Sequence, residues 1–131
     1  MQERRALTQN GICHLIYEIR MPPLPEGQAK ARILSFLTAI TETVEEGAER
    51  MLARLAAQYE NDKDPKKRFR HRPYLLSLSF EITEEKRSFT VHQTIQLSRS
   101  GRMLLSRKKA ARFDKKSGRL SKCETNPHRF H

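Results

Sequence analysis

ARILSFLTAITETVEEGAERMLARLAAQYE, residues 31–60, is the stretch of sequence that decides the fold. Its apolar residues recur every three or four positions, which is the period of a helix with one buried face. The opposite face is charged, and Glu46 and Arg50 form an i,i+4 pair in the favourable order. The spacing predicts one long amphipathic helix, whose buried stripe consists of Ile33, Leu37, Ile40, Val44, Ala48, Met51 or Leu52, Leu55 and Tyr59.

Strand patterns lie on both sides of this helix. Before it, the β-branched and aromatic segment from Ile12 to Ile19 predicts a strand, which the prolines of residues 22–25 end. After it, apolar and polar residues alternate from Leu76 to Ile82, from Phe89 to Leu97 and from Met103 to Phe113. Burying the helix stripe and the inner strand faces together requires the helix to lie across the sheet. We therefore predict an α+β fold, one long helix packed on an antiparallel sheet, in the order β-α-β-β-β.

The chain length of 131 residues predicts a single domain. With 37% hydrophobic and 31% charged residues, the chain has enough apolar material for a thin core. We expect the ordered core to cover about residues 12–120. The N-terminus, a basic loop at 61–72 and the C-terminal tail have no apolar period, so flexibility is expected in all three.

The charge balance favours anionic partners. Lys and Arg number 26 against 15 Asp and Glu, which gives a formal net charge of +11. A protein, a nucleic acid or a lipid surface of negative charge would each satisfy the resulting field. No run approaches the roughly 20 apolar residues that span a bilayer. The expected location is cytoplasmic if Met1 is the natural start, and extracytoplasmic if the chain is a fragment of a membrane-anchored protein.

Two groups of residues are candidates for binding. Clustered cations with an interleaved aromatic ring can neutralise phosphates and stack on a base. Such a cluster occurs between residues 66 and 72, and polar and basic residues also occupy the sheet face that the helix would leave uncovered. The candidate binding residues are Lys66, Lys67, Arg68, Phe69, Arg70 and Arg72 in the loop, and His92, Lys108 and Arg112 on the strands.

The sequence contains none of the common catalytic or metal-binding signatures. GxGxxG, GxxxxGK[ST], GxSxG and HExxH patterns are all missing. Cys123, His128 and His131 follow an unfamiliar ligand spacing, and neither His14 nor His92 has a nucleophile at a motif distance. Cys13 and Cys123 lie near opposite ends of the chain, and either free thiols or a disulfide between the ends would fit that spacing. We expect no enzyme activity, no cofactor and no metal.

The closing strand and turn resemble a known family. Residues 111–120, Ala-Arg-Phe-Asp-Lys-Lys-Ser-Gly-Arg-Leu, are similar to the Phe-Asp and Thr/Ser-Gly closing turn of the RsiV-type extracytoplasmic domain family. The element order is also similar over roughly residues 12–120. The resemblance implies a non-catalytic α+β sensing domain, since the best-known members are outer portions of membrane-bound anti-sigma factors that bind lysozyme. A charge of +11 would repel a basic protein such as lysozyme.

Three functions remain as hypotheses. The first is a non-enzymatic binding or sensing module for an anionic partner, which would use the 66–72 loop and the polar sheet face. The second is a nucleic-acid-binding protein that uses the basic 66–72 loop and the polar sheet face. Its affinity would fall steeply with salt and would involve Lys66, Lys67, Arg68 and Arg70 together. The third is a hydrolase using His92, which predicts a pocket around that strand.

Overall fold

The architecture is described by a computed structural model that covers residues 2–126; the side chains of residues 68, 69 and 124–126 lie outside the description. It confirms an α+β fold in which one long helix accompanies a mostly antiparallel sheet. The elements are β1 (Gln2–Gln9), β2 (Ile12–Arg20), α1 (Lys30–Asn61), α2 (Pro65–Phe69), β3 (Tyr74–Glu84), β4 (Ser88–Arg99), β5 (Arg102–Asp114) and β6 (Leu120–Asn126).

The sheet has six strands, and their order in space is the order along the chain. All neighbouring strands are antiparallel except β2 and β3, which are parallel. That exception arises because α1 carries the chain back to the end of the sheet where β2 began. A long crossover of this kind is what a parallel pair requires.

The predicted element order was wrong at both ends, because the structure adds β1 before the predicted first strand and β6 after the last. Most residues of strand β1 are polar, and all of them are exposed except Leu7, which is half-buried. The strand therefore shows no apolar period in the sequence. An edge strand of this kind is held mainly by its backbone ladder to β2. The signal for β1 was Asn10-Gly11, whose φ angles of 53° and 78° form the tight turn of a β-hairpin.

The basic loop expected at 61–72 also contains structure. Residues Pro65–Phe69 form α2, a helix of five residues. The Asp64 carboxylate caps its start by accepting the backbone N–H of Lys66 at 3.0 Å. The Asp62 carboxylate accepts the N–H of Asp64 at 3.0 Å in the same way. The two acidic residues thus give the segment a defined turn.

The core lies between α1 and the inner face of the sheet, which is the face that α1 covers. Ile33 and Leu37 of α1 are 0% and 1% exposed, as the helical spacing predicted. They pack with Leu15 of β2, Leu78 of β3 and Val91 of β4, each at most 1% exposed. The outer face of the sheet carries the alternate residues of each strand.

The turn on which the family resemblance rests links β5 to β6 and packs against the start of α1. The Asp114 carboxylate accepts the backbone N–H of Ser117 at 2.8 Å and of Lys116 at 2.9 Å, and these bonds hold the pKa of Asp114 below its usual value. Phe113 packs edge-on against Phe36, with the ring centroids 5.2 Å apart. Gly118 is buried and lies beside Ala29 at the start of the helix.

Candidate functional site

A cavity with a volume of about 600 Å³ lies at the end of the sheet where β2 and β3 both begin. The C-terminal end of α1, the segment through α2 and the β4–β5 turn close over it. We call it the basic cavity. Its lining is His14, Leu55, Gln58, Tyr59, Asp62, Asp64, Lys66, Lys67, Arg70, His71, Arg72, Tyr74, Arg99 and Ser100.

Positive charge dominates this lining. Five of the side chains are cations and two are carboxylates, and the carboxylates are those that accept backbone N–H groups around α2. Arg99 is held in place by donating from Nε to the carbonyl of Arg72 at 3.0 Å and from Nη1 to the hydroxyl of Tyr74 at 3.2 Å. Its guanidinium carbon also lies 4.6 Å from the centre of the Tyr74 ring. The cations are Lys66, Lys67, Arg70, Arg72 and Arg99.

Three aromatic rings meet edge to face within the same cavity. The ring centroids of His14 and Tyr59 are 5.4 Å apart, those of His14 and His71 are 5.1 Å apart, and those of Tyr59 and His71 are 5.0 Å apart. His71 Nε2 donates to the carbonyl of Cys13 at 3.0 Å, which ties the segment after α2 to the start of β2. The cluster joins residues from three separate parts of the chain.

His14 is the unusual member of this cluster. The residue is 2% exposed, and its Nδ1 has no hydrogen-bond partner among residues 2–126. Burial, with a smaller contribution from neighbouring His71, lowers the pKa of His14 below 6.5 and favours the neutral ring at neutral pH. Buried polar atoms normally find a partner, so the unpartnered Nδ1 is an exception among the described residues.

The structure divides the predicted binding residues between two places. Lys66, Lys67, Arg70 and Arg72 line the basic cavity together, whereas the side chains of Arg68 and Phe69 lie outside the description. The other three residues lie on the outer face of the sheet, away from the cavity. They are exposed: His92 shares a hydrogen bond of 3.1 Å with Thr83, Arg112 lies 3.9 Å from Glu85, and Lys108 pairs in register with Thr94.

The sequence analysis missed several residues of the basic cavity. Tyr59 was identified only as part of the helix stripe, His14 as an ordinary strand residue, and Arg99 as part of a turn. They come within reach of residues 66–72 because α1 returns the chain beside β2. Only the density of cations around residue 70 could have pointed to this end of the protein.

The two cysteines are free thiols, Cys13 half-buried on β2 and Cys123 exposed on β6. Three strands separate β2 from β6, and strand spacing places such positions roughly 19 Å apart across the sheet. A disulfide requires Cα atoms within about 7 Å, so this sheet order keeps the two thiols unpaired. His128 and His131, the other residues of the unfamiliar ligand spacing, lie outside the described residues.

Residues 2–126 show neither a cluster of metal ligands nor a membrane-spanning helix. No group of three or more His, Cys, Asp or Glu side chains is placed to hold a metal ion in that part of the chain. No helix there is long and apolar enough to cross a membrane.

Comparisons of the chain with known protein families, with curated proteins and with solved structures find no match.

The lowered pKa of His14 leads to a prediction about stability. Because the unfolded chain protonates this ring near pH 6.5 and the folded protein only at lower pH, the free energy of unfolding should decrease as the pH falls below 6.5. A His14→Phe variant should lose this part of the pH dependence. Urea unfolding curves measured at intervals from about pH 8 to about pH 5 would test the prediction.

The matched control is His92→Phe, which makes the same replacement at an exposed strand position. It should leave the slope of stability against pH close to that of the unaltered protein. An unchanged slope in His14→Phe would show that His14 is not the group responsible.

Proposed function

We propose that this protein is a non-enzymatic binding module that takes a multiply charged anionic group into the basic cavity. The observation that carries the proposal is that five cationic side chains meet around one cavity. The wall of this cavity also holds His14, whose Nδ1 has no hydrogen-bond partner among residues 2–126. The anion would be a small phosphate- or carboxylate-bearing molecule, or the charged end of a larger partner.

The charges support an anion rather than a neutral ligand. The two carboxylates of the lining offset only part of the charge of the five cations, which leaves a formal charge of +3 around the cavity. Arginine presents a planar fork of donors that matches the oxygen atoms of phosphate and carboxylate. The formal net charge of +11 adds a long-range field that draws anions to the protein.

The size of the cavity supports a compact ligand. Pockets for small molecules commonly have volumes of about 300–1,000 Å³, and the basic cavity has about 600 Å³. Its three rings give a rigid wall, while its lysines are exposed and can adjust to the bound group. Charge, hydrogen-bond donors and a shaped wall are what recognition needs, and the proposal assigns binding alone to this site.

The RsiV-type resemblance adds a sensing role to the proposed binding function. The resemblance rests on the turn that begins at Phe113 and ends at Gly118, and in this protein that turn links β5 to β6 and packs against the start of α1. It belongs to the scaffold, at a distance from the basic cavity. A family that shares the scaffold can therefore differ in the ligand, which fits an anionic partner in place of lysozyme.

A nucleic-acid partner is the second candidate, and the outer face of the sheet favours it. Arg20, Lys108 and Arg112 are exposed there and alternate with the hydroxyls of Ser79 and Thr94 on neighbouring strands. Phosphate contacts spread over such a face would neutralise several charges at once. This candidate differs from the first by depending on the outer face of the sheet.

Calorimetric titration with tripolyphosphate tests the proposal, using the variant Lys66→Gln/Lys67→Gln/Arg70→Gln. If each exposed cation contributes roughly 0.7 kcal/mol, the affinity should fall by about thirtyfold. The imidazole NMR signals of His14 and His71 should shift on binding, because both rings lie in the cavity wall.

The control variant is Arg20→Gln/Lys108→Gln/Arg112→Gln, which removes the same number of charges from the outer face of the sheet. It should weaken tripolyphosphate binding by no more than about threefold, through the long-range field alone. Equal losses in both variants, or no binding at low salt, would contradict the proposal. Binding of single-stranded DNA or RNA that is salt-sensitive and lost in the control variant would support the second candidate.

A further inference from the structure

A second cavity lies on the inner face of the sheet, on the side that α1 leaves uncovered. The helix packs on β1, β2 and β3. Between its first half and strands β4, β5 and β6 remains a groove of about 380 Å³. We call it the apolar groove. It is separate from the basic cavity, and the two have no lining residue in common.

The walls of the groove are apolar on both sides. The helix contributes three half-buried side chains, and the sheet contributes small and β-branched residues. An apolar ligand that covers half-buried apolar groups at the edge of a core removes them from water, and this stabilises the complex. These wall residues are Phe36, Ile40 and Val44 on α1, and Val91, Ile95 and Ala111 on the strands.

The polar lining residues of the groove include a pair on neighbouring strands. Gln93 of β4 and Lys109 of β5 are direct cross-strand partners, and both line the groove. Gln93 is 6% exposed. Lys109 beside it is exposed. An amide next to an ammonium group, in a mainly apolar groove, offers donors for a negatively charged head group.

From this arrangement we propose that the apolar groove binds a fatty acid, with its hydrocarbon chain along the wall residues. The carboxylate accepts hydrogen bonds from the Gln93 amide and the Lys109 ammonium. Binding here is independent of the proposed function at the basic cavity. It gives the protein a second ligand of different chemistry.

A second copy of the chain suits the groove less well than a fatty acid. A symmetric pair in contact through this face would bring the Lys109 side chains of both copies towards each other. Like charges placed together at an interface oppose association, and each copy carries a formal net charge of +11. A fatty acid brings an apolar chain and the opposite charge, which matches both features of the groove.

Cys123 provides a direct measurement, because its exposed thiol lines the groove while Cys13 lies outside it. The rate at which a thiol reagent modifies Cys123 should fall in the presence of decanoate, and the rate for Cys13 should not change. Across hexanoate, octanoate and decanoate, the affinity should rise by about fourfold for each added methylene. Decanol, which lacks the carboxylate, should bind more weakly than decanoate.

Two pairs of variants make the test specific. Lys109→Met should weaken decanoate binding by about tenfold, whereas Lys108→Met, at the neighbouring residue on the outer face, should have little effect. Ala39→Trp places a large side chain into the groove and should abolish protection of Cys123. Ala53→Trp, at another exposed alanine of α1, should leave that protection intact.

Several outcomes would overturn the proposal. Equal protection of Cys13 and Cys123 would indicate non-specific binding of the acid. Protection of Cys123 without any ligand, together with a dimeric mass by light scattering, would show that a second copy occupies the groove. Decanoate affinity that is unchanged in both Lys109→Met and Ala39→Trp would place the acid elsewhere. As a control, both variants should still bind tripolyphosphate, because the basic cavity shares no lining residue with the groove.

Discussion

Replacing Leu78 by alanine is expected to lower the free energy of unfolding by about 3 kcal/mol. Leu78 is 0% exposed and lies on β3, paired with Ile19 of β2 and Ile95 of β4. The substitution removes apolar contact area and leaves a cavity that the surrounding strands cannot close, because their backbone ladders hold them at a set spacing. A loss of this size is a large part of the stability of an ordinary domain.

Chemical unfolding monitored by circular dichroism measures this effect, with Leu104→Ala as the control. Leu104 lies on β5 and is 48% exposed, so the same substitution removes little buried area. We expect that control to change stability by less than about 1 kcal/mol. Similar losses in the two variants would contradict the placement of Leu78 at the centre of the core.

Replacing Gly118 by alanine is expected to destabilise the protein by about 2 kcal/mol, for two separate reasons. Its φ of +71° lies in the left-handed region, which a side chain disfavours. A Cβ at this position would also lie 3.1 Å from the carbonyl oxygen of Gln28 and 3.4 Å from the Cα of Ala29. Both are backbone atoms at the start of α1, so they cannot move aside without shifting the helix.

Gly101→Ala separates the two reasons. Gly101 has a similar φ of +77°, but a Cβ there meets no atom within 4 Å. That variant should show only the conformational penalty, about 1 kcal/mol. The difference between the two unfolding free energies measures the close approach of the closing turn to α1. If both variants lose the same stability, the contact contributes nothing.

These two glycines also show how far sequence patterns extend. The sequence identified the Ser117-Gly118 turn from its residue types, and the family resemblance was drawn from it. The pattern could not show that Gly118 packs against Ala29, since residues 29 and 118 meet only when the sheet is complete. Strand β1 was missed for a related reason, because pairing at an edge needs backbone groups and little apolar surface.

Some of the residues that line the basic cavity were identified from the sequence as members of a basic loop. The cations at Lys66, Lys67 and Arg70 were found as a charge cluster, which is a local property of the chain. His14 and Arg99, which complete the cavity, lie more than fifty and almost thirty residues away from that cluster. No local pattern relates such distant residues. The second group of candidates, with Lys108 and Arg112, was assigned to the outer sheet face correctly but lies apart from the cavity.

By itself, the sequence determined the long helix, the three alternating strands and the positive charge, because residue spacing and composition act over short distances. Only the tertiary structure decided the strand order, the parallel pairing of β2 with β3, and the position of His14 beneath the basic residues. It also left Gln93 and Lys109 beside an uncovered part of the core. Sequence patterns could not show these features, because both cavities form where α1 stops covering the sheet. How much of the sheet the helix covers depends on how whole elements pack.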